Sequence, residues 1–422
     1  MAPHLSHVVA SVGTRLTLGA YPLLFMLAFG WAFGKDAFDT AAAASNWANY
    51  LGVLLLSGFV LVPPAVARLG LNSDSADDRA VIRDHIALER VLLALGVLVA
   101  LVLGLMVDRA FPSIASQAGG LLQLWFSLLA VLALTQIPMT LWLGVAQAAG
   151  GYVAALSMVV ASRALALAVV AAAPIAGAGP TVALAASVAV VVVAQWLLMR
   201  MARATLERIA PGVLHQAGHP RSVLRKNLSA GIVVVVATLV TIVPVSIVGR
   251  VLPDEVGHAY AVVTLANAVV ALIVAAFFPF SLTLAAQTRQ PAALRRYCVK
   301  VASAALLITA GLIAIAWLAY PVCSALVPSC HAGLFMVGSL VVLGAGIRVG
   351  SLGPYHAGLY MGHPHYALLS VTAEGITVVA LTWWLLGDWS LYALGAAFVA
   401  GGILRVAVAF MAELRLLAKQ AR

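Results

Sequence analysis

Apolar runs of 18 or more residues recur from one end of this sequence to the other, and that repetition decides the solvent before it decides the fold. A helix of about 20 apolar residues crosses the roughly 30 Å hydrocarbon core of a bilayer. Inside hydrocarbon each backbone N–H and C=O must find its partner within the protein, so only helices and closed barrels span. The runs are continuous rather than alternating with period two, which points to helices. Composition agrees: 64% of the 422 residues are hydrophobic and only 9% are charged, with a mean hydropathy of +1.07. A water-soluble globule could not hide that much apolar surface.

Windows of about 19 residues place spans near 13–34, 46–67, 89–108, 120–147, 151–175 and 180–201, then 228–250, 257–284, 300–321, 333–355, 364–386 and 391–412. The expected fold is therefore an all-α integral membrane protein of about twelve transmembrane helices. Residues 1–201 form a six-helix N-terminal lobe, 202–227 a polar linker holding Pro211, Gly212, His215, His219 and Pro220, and 228–422 a six-helix C-terminal lobe. Met1 to Val12 lack a basic start and a cleavable site, and read as a cytoplasmic tail.

Positive charge in short loops stays cytoplasmic, so the distribution of Lys and Arg orients the chain. One side of the expected topology carries only Lys35, Arg109 and Arg250. The other carries the arginines between Arg68 and Arg90, those between Arg200 and Lys226, those between Arg289 and Lys300, and Arg415, Lys419 and Arg422. Both termini are expected inside, in a bacterial inner membrane, with outer loops too short for a catalytic domain. The formal charge of +10 is thereby a topology signal. Dispersed over loops, it does not form a nucleic-acid surface.

The two halves share landmarks at one register. Gly34-Lys35 matches Gly249-Arg250, and Pro64 matches Pro279, at an offset of 215. Gly144 and Tyr152 match Gly358 and Tyr366 at 214. An even number of helices per half makes this a parallel duplication about an axis normal to the membrane.

Ionisable side chains within spans cost about 2.5–3.5 kcal/mol each on insertion scales and are functional candidates by default. They are few: Arg163, Arg348, Arg405 and Glu374, with Arg15 at the inner start of the first span. Glu374 can neutralise at most one arginine, so the remaining positive charge calls for an anion. Arg163 lies about twelve residues into its helix, roughly 18 Å at the helical rise and near the midplane. Arg405 and Arg15 lie close enough to the inner face to snorkel. Glu374 reads either as the ion-pair partner of Arg348 or Arg163, or as a proton-coupling carboxylate. Asn46, Asn49, Asn267, Gln123, Gln136 and Gln195 add neutral hydrogen-bonding groups, suited to helix contacts or to sugars. Intramembrane prolines (Pro22, Pro63, Pro64, Pro138, Pro244, Pro279) suit helices that bend.

Other chemistry is not indicated. His356, His363 and His365 cluster in one hairpin without a nearby cysteine or carboxylate, so no metal site is expected. No phosphate-binding glycine loop or nucleophile elbow is present, and neither a cofactor nor an enzymatic activity is expected. Cys323 and Cys330 share one expected outer segment, where a disulfide and two free thiols are both open readings.

The stretch from Ile247 to Asn267 (IVGRVLPDEVGHAYAVVTLAN) has a helix ending in VGR, a short loop and a small-residue helix. Its N-terminal counterpart, AFGKDAFDTAAAASNWANYLGVLLLSGF, has the same layout. Both resemble the multidrug/oligosaccharidyl-lipid/polysaccharide flippase superfamily. That resemblance implies two six-helix lobes around a central cavity that opens alternately to either side.

Within the superfamily, the resemblance leans to the polysaccharide (O-antigen and exopolysaccharide) branch. The drug-antiporter branch commonly carries an acidic residue within its first helix, whereas Asp36 and Asp39 here fall beyond the outer end of that span. The polysaccharide branch has a cationic cavity suited to a diphosphate, which Arg163 and Arg348 match. Lipid II flippases usually have fourteen helices.

The expectation is a flippase for undecaprenyl-diphosphate-linked oligosaccharide repeat units, with Arg163, Arg348, Glu374, Arg405, Arg15, Asn49 and Asn267 as substrate-binding residues. Its partners would be the lipid-linked oligosaccharide, membrane lipids, and the polysaccharide polymerase and export machinery. The alternative is an ion-coupled multidrug and toxic-compound exporter. A membrane glycosyltransferase is disfavoured by the missing acidic cluster.

Overall fold

The computed structural model describes residues 5–56, 62–70, 75–287, 291–326, 332–354 and 364–420. The described chain is all-α. Ten helices are long and apolar enough to cross a membrane, and Val235–Val251 is a shorter apolar segment. Large apolar side chains such as Leu105 and Leu318 stand more than three-quarters exposed, an arrangement that only a hydrocarbon solvent stabilises. The protein is a multipass membrane protein of the expected class, with about twelve helices in two lobes.

The chain divides into two compact units, Met1–Thr238 and Leu239–Arg422. Unit 1 contains α1 (Leu5–Phe33), α2 (Lys35–Ala48), a 3₁₀ segment (Asn49–Leu56), α3 (Val62–Gly70), α4 (Ala76–Ala110), the short α5 (Pro112–Ala118), α6 (Leu121–Ala148), α7 (Tyr152–Ala172) and α8 (Pro180–Ile209). The unit boundary falls within α9 (Pro220–Val251), and unit 2 continues with α10 (Val256–Gln287), α11 (Pro291–Leu326), α12 (Ala332–Val349), α13 (Pro364–Trp389) and α14 (Tyr392–Gln420).

The same packing scheme recurs in both units. In unit 1, α6 packs on α2, α4 and α8, and α7 packs on α8. In unit 2, α12 packs on α10, α11 and α14, and α13 packs on α14. Counting crossings within each half, the fourth meets the second, third and sixth, and the fifth meets the sixth. Two bundles with one internal scheme, read in the same chain direction, are what a parallel duplication produces.

Several boundaries depart from the sequence expectation: α4 starts at Ala76 rather than 89 and α11 at Pro291 rather than 300, and three further departures bear on the architecture. The segment read as a tail is helical from Leu5, because α1 runs unbroken into the first span. The second span is not one α-helix: α2 gives way at Asn49 to 3₁₀ turns that run to Leu56, and α3 covers Val62–Gly70. Pro63 and Pro64 therefore sit in the first turn of α3, where their missing N–H groups leave no intrahelical bond unmade. Thirdly, α8 extends to Ile209 and α9 starts at Pro220, so most of the polar stretch 202–227 is helix. Asp36 and Asp39 lie on α2, and Asp39 pairs with Lys35 one turn away at 3.3 Å. The break before α2 falls at Gly34, whose φ of +85° suits glycine.

The inner core of unit 1 gathers Val62, Ile82, Leu92, Leu141, Trp142, Leu206 and Val213. In unit 2, helices meet through glycine. A Cβ on Gly344 of α12 would come within 2.4 Å of the Phe398 backbone of α14, and one on Gly402 within 2.5 Å of the Gly344 carbonyl oxygen. These contacts bring the backbones of α12 and α14 close together, in the small-residue manner of membrane helices.

Candidate substrate-binding site

The close approach of α12 and α14 positions a buried charge cluster. Arg348 lies one turn beyond Gly344, and Arg405 follows Gly402 by three residues, so both guanidiniums project near the crossing. Glu374 on α13, which is 1% exposed, receives both. Arg405 Nη1 donates to Glu374 Oε2 at 2.6 Å, and Arg348 Nη1 stands 3.7 Å from Oε1. Arg405 Nε also donates to Ser351 Oγ at 2.8 Å, while the Ser351 hydroxyl donates to the Arg348 carbonyl oxygen at 2.8 Å. Arg348 Nη2 reaches Asn267 Oδ1 on α10 at 3.4 Å.

Four of the seven residues singled out from sequence thus meet in one place: Asn267, Arg348, Glu374 and Arg405. The cluster holds two guanidiniums and one carboxylate, leaving one positive charge in excess. Arg405 holds the tighter contacts and is the structural partner of Glu374. Its side chain turns inward rather than snorkelling, because the carboxylate and Ser351 satisfy it there. Arg348 has only the longer contacts, 3.7 Å to Glu374 and 3.4 Å to Asn267.

Arg163 belongs to unit 1 and is 4% exposed on α7. Its guanidinium carbon lies 4.8 Å from the centre of the Tyr21 ring on α1, a cation–π contact. Among the described residues it has no carboxylate partner, and its Nε donates to nothing. Tyr21 opens a row of rings along α1, with Phe25 at 5.7 Å, then Phe29 and Phe33, and Phe29 meets Trp125 edge-on at 5.4 Å. The spacing of four between these aromatic residues is visible in the sequence, but nothing in it names Tyr21 as the neighbour of Arg163.

Asn49 opens the 3₁₀ segment and is exposed. The side chains of Arg15, Cys323 and His365, with residues Cys330, His356, Gly358 and His363, lie outside the described residues. No group of three or more metal-ligating side chains occurs among the described residues.

A second buried acid was not anticipated. Glu89 on α4 is 5% exposed, accepts from Trp142 Nε1 with both oxygens at 3.2 Å, and lies 3.8 Å from Arg203 Nη2. Arg203 covers the Trp142 ring at 4.9 Å. Residue 89 is the first of its expected span and drew no reading from sequence; the packing of α4, α6 and α8 encloses it.

No protein-family model matches the sequence, and no curated protein is detectably similar to it. Solved structures do match. A eukaryotic MATE transporter, AtDTX14, aligns over 96% of this chain and 93% of its own at a TM-score of 0.64, with 12% identity. A MATE transporter in complex with MaD3S aligns over 99% and 97% at 0.61, with 14% identity. An inward-facing multidrug resistance MATE family transporter of the MOP superfamily aligns over 98% and 94% at 0.61, with 13% identity. Together with the repeated six-helix scheme, these likenesses define the fold as that of the MATE transporters. Their agreement covers nearly the whole chain.

Proposed function

We propose that this chain is a multipass transporter that moves an amphiphilic substrate across the membrane by alternating access. The observation that carries the proposal is the match of almost the full chain to MATE transporter structures. A fold alone does not name a substrate, and two substrate classes have support.

Export of small toxic compounds takes first place, because similar solved structures are named as multidrug resistance transporters. The second reading is a flippase for undecaprenyl-diphosphate-linked oligosaccharides. Its support is the charge: Glu374 is shared by two arginines, and Arg163 has no carboxylate partner among the described residues. In that reading Arg348 would take a diphosphate oxygen by charge-assisted hydrogen bonds, with Asn267 beside it for a sugar hydroxyl. The bias of Lys and Arg supports an inner-membrane location with both termini cytoplasmic. A polysaccharide polymerase and its export machinery would be partners only in the second reading.

Proteoliposomes carrying the full chain separate the two. Accumulation of a cationic dye, unaffected by prenyl-diphosphate oligosaccharide, supports drug export. Translocation of the oligosaccharide lipid that falls at least tenfold in Arg348→Ala, at equal protein incorporation, supports the flippase. Neither activity, with protein correctly inserted, would contradict both.

A further inference from the structure

Beside Arg163 lies a small cavity within unit 1, lined by Ser162 and Arg163 of α7, Gln195 of α8 and apolar side chains including Met139, Met158 and Leu198. Gln195 is 3% exposed, and both its amide nitrogen and its amide oxygen lack a partner among the described residues. Arg163 Nε is equally unpartnered. Buried polar groups in native proteins are nearly always satisfied, and one that is not asks for a water or an ion. Two unsatisfied side chains on neighbouring helices, converging on one cavity, form a built site.

The chemistry of the walls selects the occupant. Arg163 is a fixed cation whose five N–H groups donate and do not accept, and the Tyr21 ring offers it a π-face rather than a hydrogen-bond acceptor. Gln195 brings an amide donor. The Ser162 hydroxyl already donates to the Val159 carbonyl oxygen at 3.0 Å. Among the described residues no carboxylate lines the cavity, so none there neutralises the guanidinium. A water would satisfy a donor and leave the charge uncompensated in a low-dielectric bundle, which is expensive. A small anion accepts from Arg163 Nε and from the Gln195 amide nitrogen and offsets the charge, leaving only the Gln195 amide oxygen without a partner. The space beside the two side chains is about that of one water, which suits a small ion better than a phosphate ester or a carboxylated organic ligand.

We propose that the cavity between α7 and α8, framed by Arg163 and Gln195, is a binding site for a single small inorganic anion of the size of chloride. The site is distinct from the cluster around Glu374 and is independent of which substrate the protein carries. The bound anion offsets the charge of Arg163 and ties α7 to α8, so its occupancy sets the stability of that pair.

The test uses the full chain in lipid nanodiscs, with radioactive chloride at constant ionic strength and gluconate as the replacing anion. One saturable site per chain is expected, with affinity lowered about tenfold or more in Arg163→Gln, and unchanged in Arg348→Gln. Gln195→Glu supplies a built-in carboxylate: it should abolish chloride binding while the melting temperature in gluconate rises to that of the wild type in chloride. Sulfate, too large for the cavity, should not compete. Absence of saturable binding, or binding that persists in both Arg163→Gln and Gln195→Glu, would overturn the proposal and leave water as the occupant.

Discussion

Arg405 Nη1 stands 2.6 Å from Glu374 Oε2, closer by more than an ångström than Arg348 comes to the other oxygen. The asymmetry gives two arginines of the same chemistry unequal holds on one carboxylate. It follows from backbone placement, since Ser351, in the turn just past α12, accepts from Arg405 Nε at 2.8 Å and orients its fork toward the acid.

Removing the acid should therefore expose the imbalance. Glu374→Gln leaves two guanidiniums facing a neutral amide, and breaking a buried pair in this way costs about 3–5 kcal/mol. Thermal unfolding in detergent should show a marked drop in melting temperature. The double variant Glu374→Gln with Arg405→Gln should recover part of it, because only Arg348 then remains unpaired.

The crossing of α12 and α14 depends on hydrogen in place of a side chain. At Gly402 an added Cβ would lie 2.5 Å from the Gly344 carbonyl oxygen, and backbone cannot move aside as a side chain can. Gly402→Ala gains about 1 kcal/mol of helix propensity and still should be destabilising, by about 1–3 kcal/mol from overpacking. Gly402→Val should reduce the yield of monodisperse protein on size exclusion further. By contrast Gly387→Ala, where the added carbon meets nothing within 4 Å, should be tolerated.

In unit 1, Trp142→Phe removes the donor that both oxygens of Glu89 share. A buried acceptor that loses its partner costs about 1–3 kcal/mol. Arg203→Ala should cost less, under about 1 kcal/mol, since its side chain is 52% exposed and the 3.8 Å pair is screened. Melting curves of the two variants, compared at equal salt, check the order.

Much of this architecture is legible in the sequence because span length and hydropathy are set by the bilayer itself. The second crossing is not, since nothing in AAAASNWANYLGVLLLSGF marks where α-helix gives way to 3₁₀ turns. The candidate residues were legible through the cost of burying charge, which needs no tertiary information. Their pairing was not: whether Glu374 meets Arg405 or Arg348 depends on how closely α12 and α14 cross, and that rests on Gly344 and Gly402. Glu89 was missed for the converse reason, as an acid at a span edge looks solvated until Trp142 and Arg203 close over it.

Orientation can be settled with single cysteines in a background lacking Cys298, Cys323 and Cys330. Gln216→Cys, in the connection between α8 and α9, should react with an impermeant maleimide only after the inner face is opened. Ile175→Cys, 89% exposed after α7, should react in intact cells. The reverse pattern would invert the topology.

Alternating access itself is tested most directly at Asn267, which is exposed and adjoins Arg348. In the same cysteine-free background, Asn267→Cys is treated with an impermeant thiol reagent from the outside of right-side-out vesicles, and separately from the inside of inverted ones. Labelling from both faces at measurable rates, with substrate shifting the ratio between them, is the result expected of a transporter whose site opens to each side in turn. Reactivity confined to one face under all conditions, with the protein folded, would contradict it.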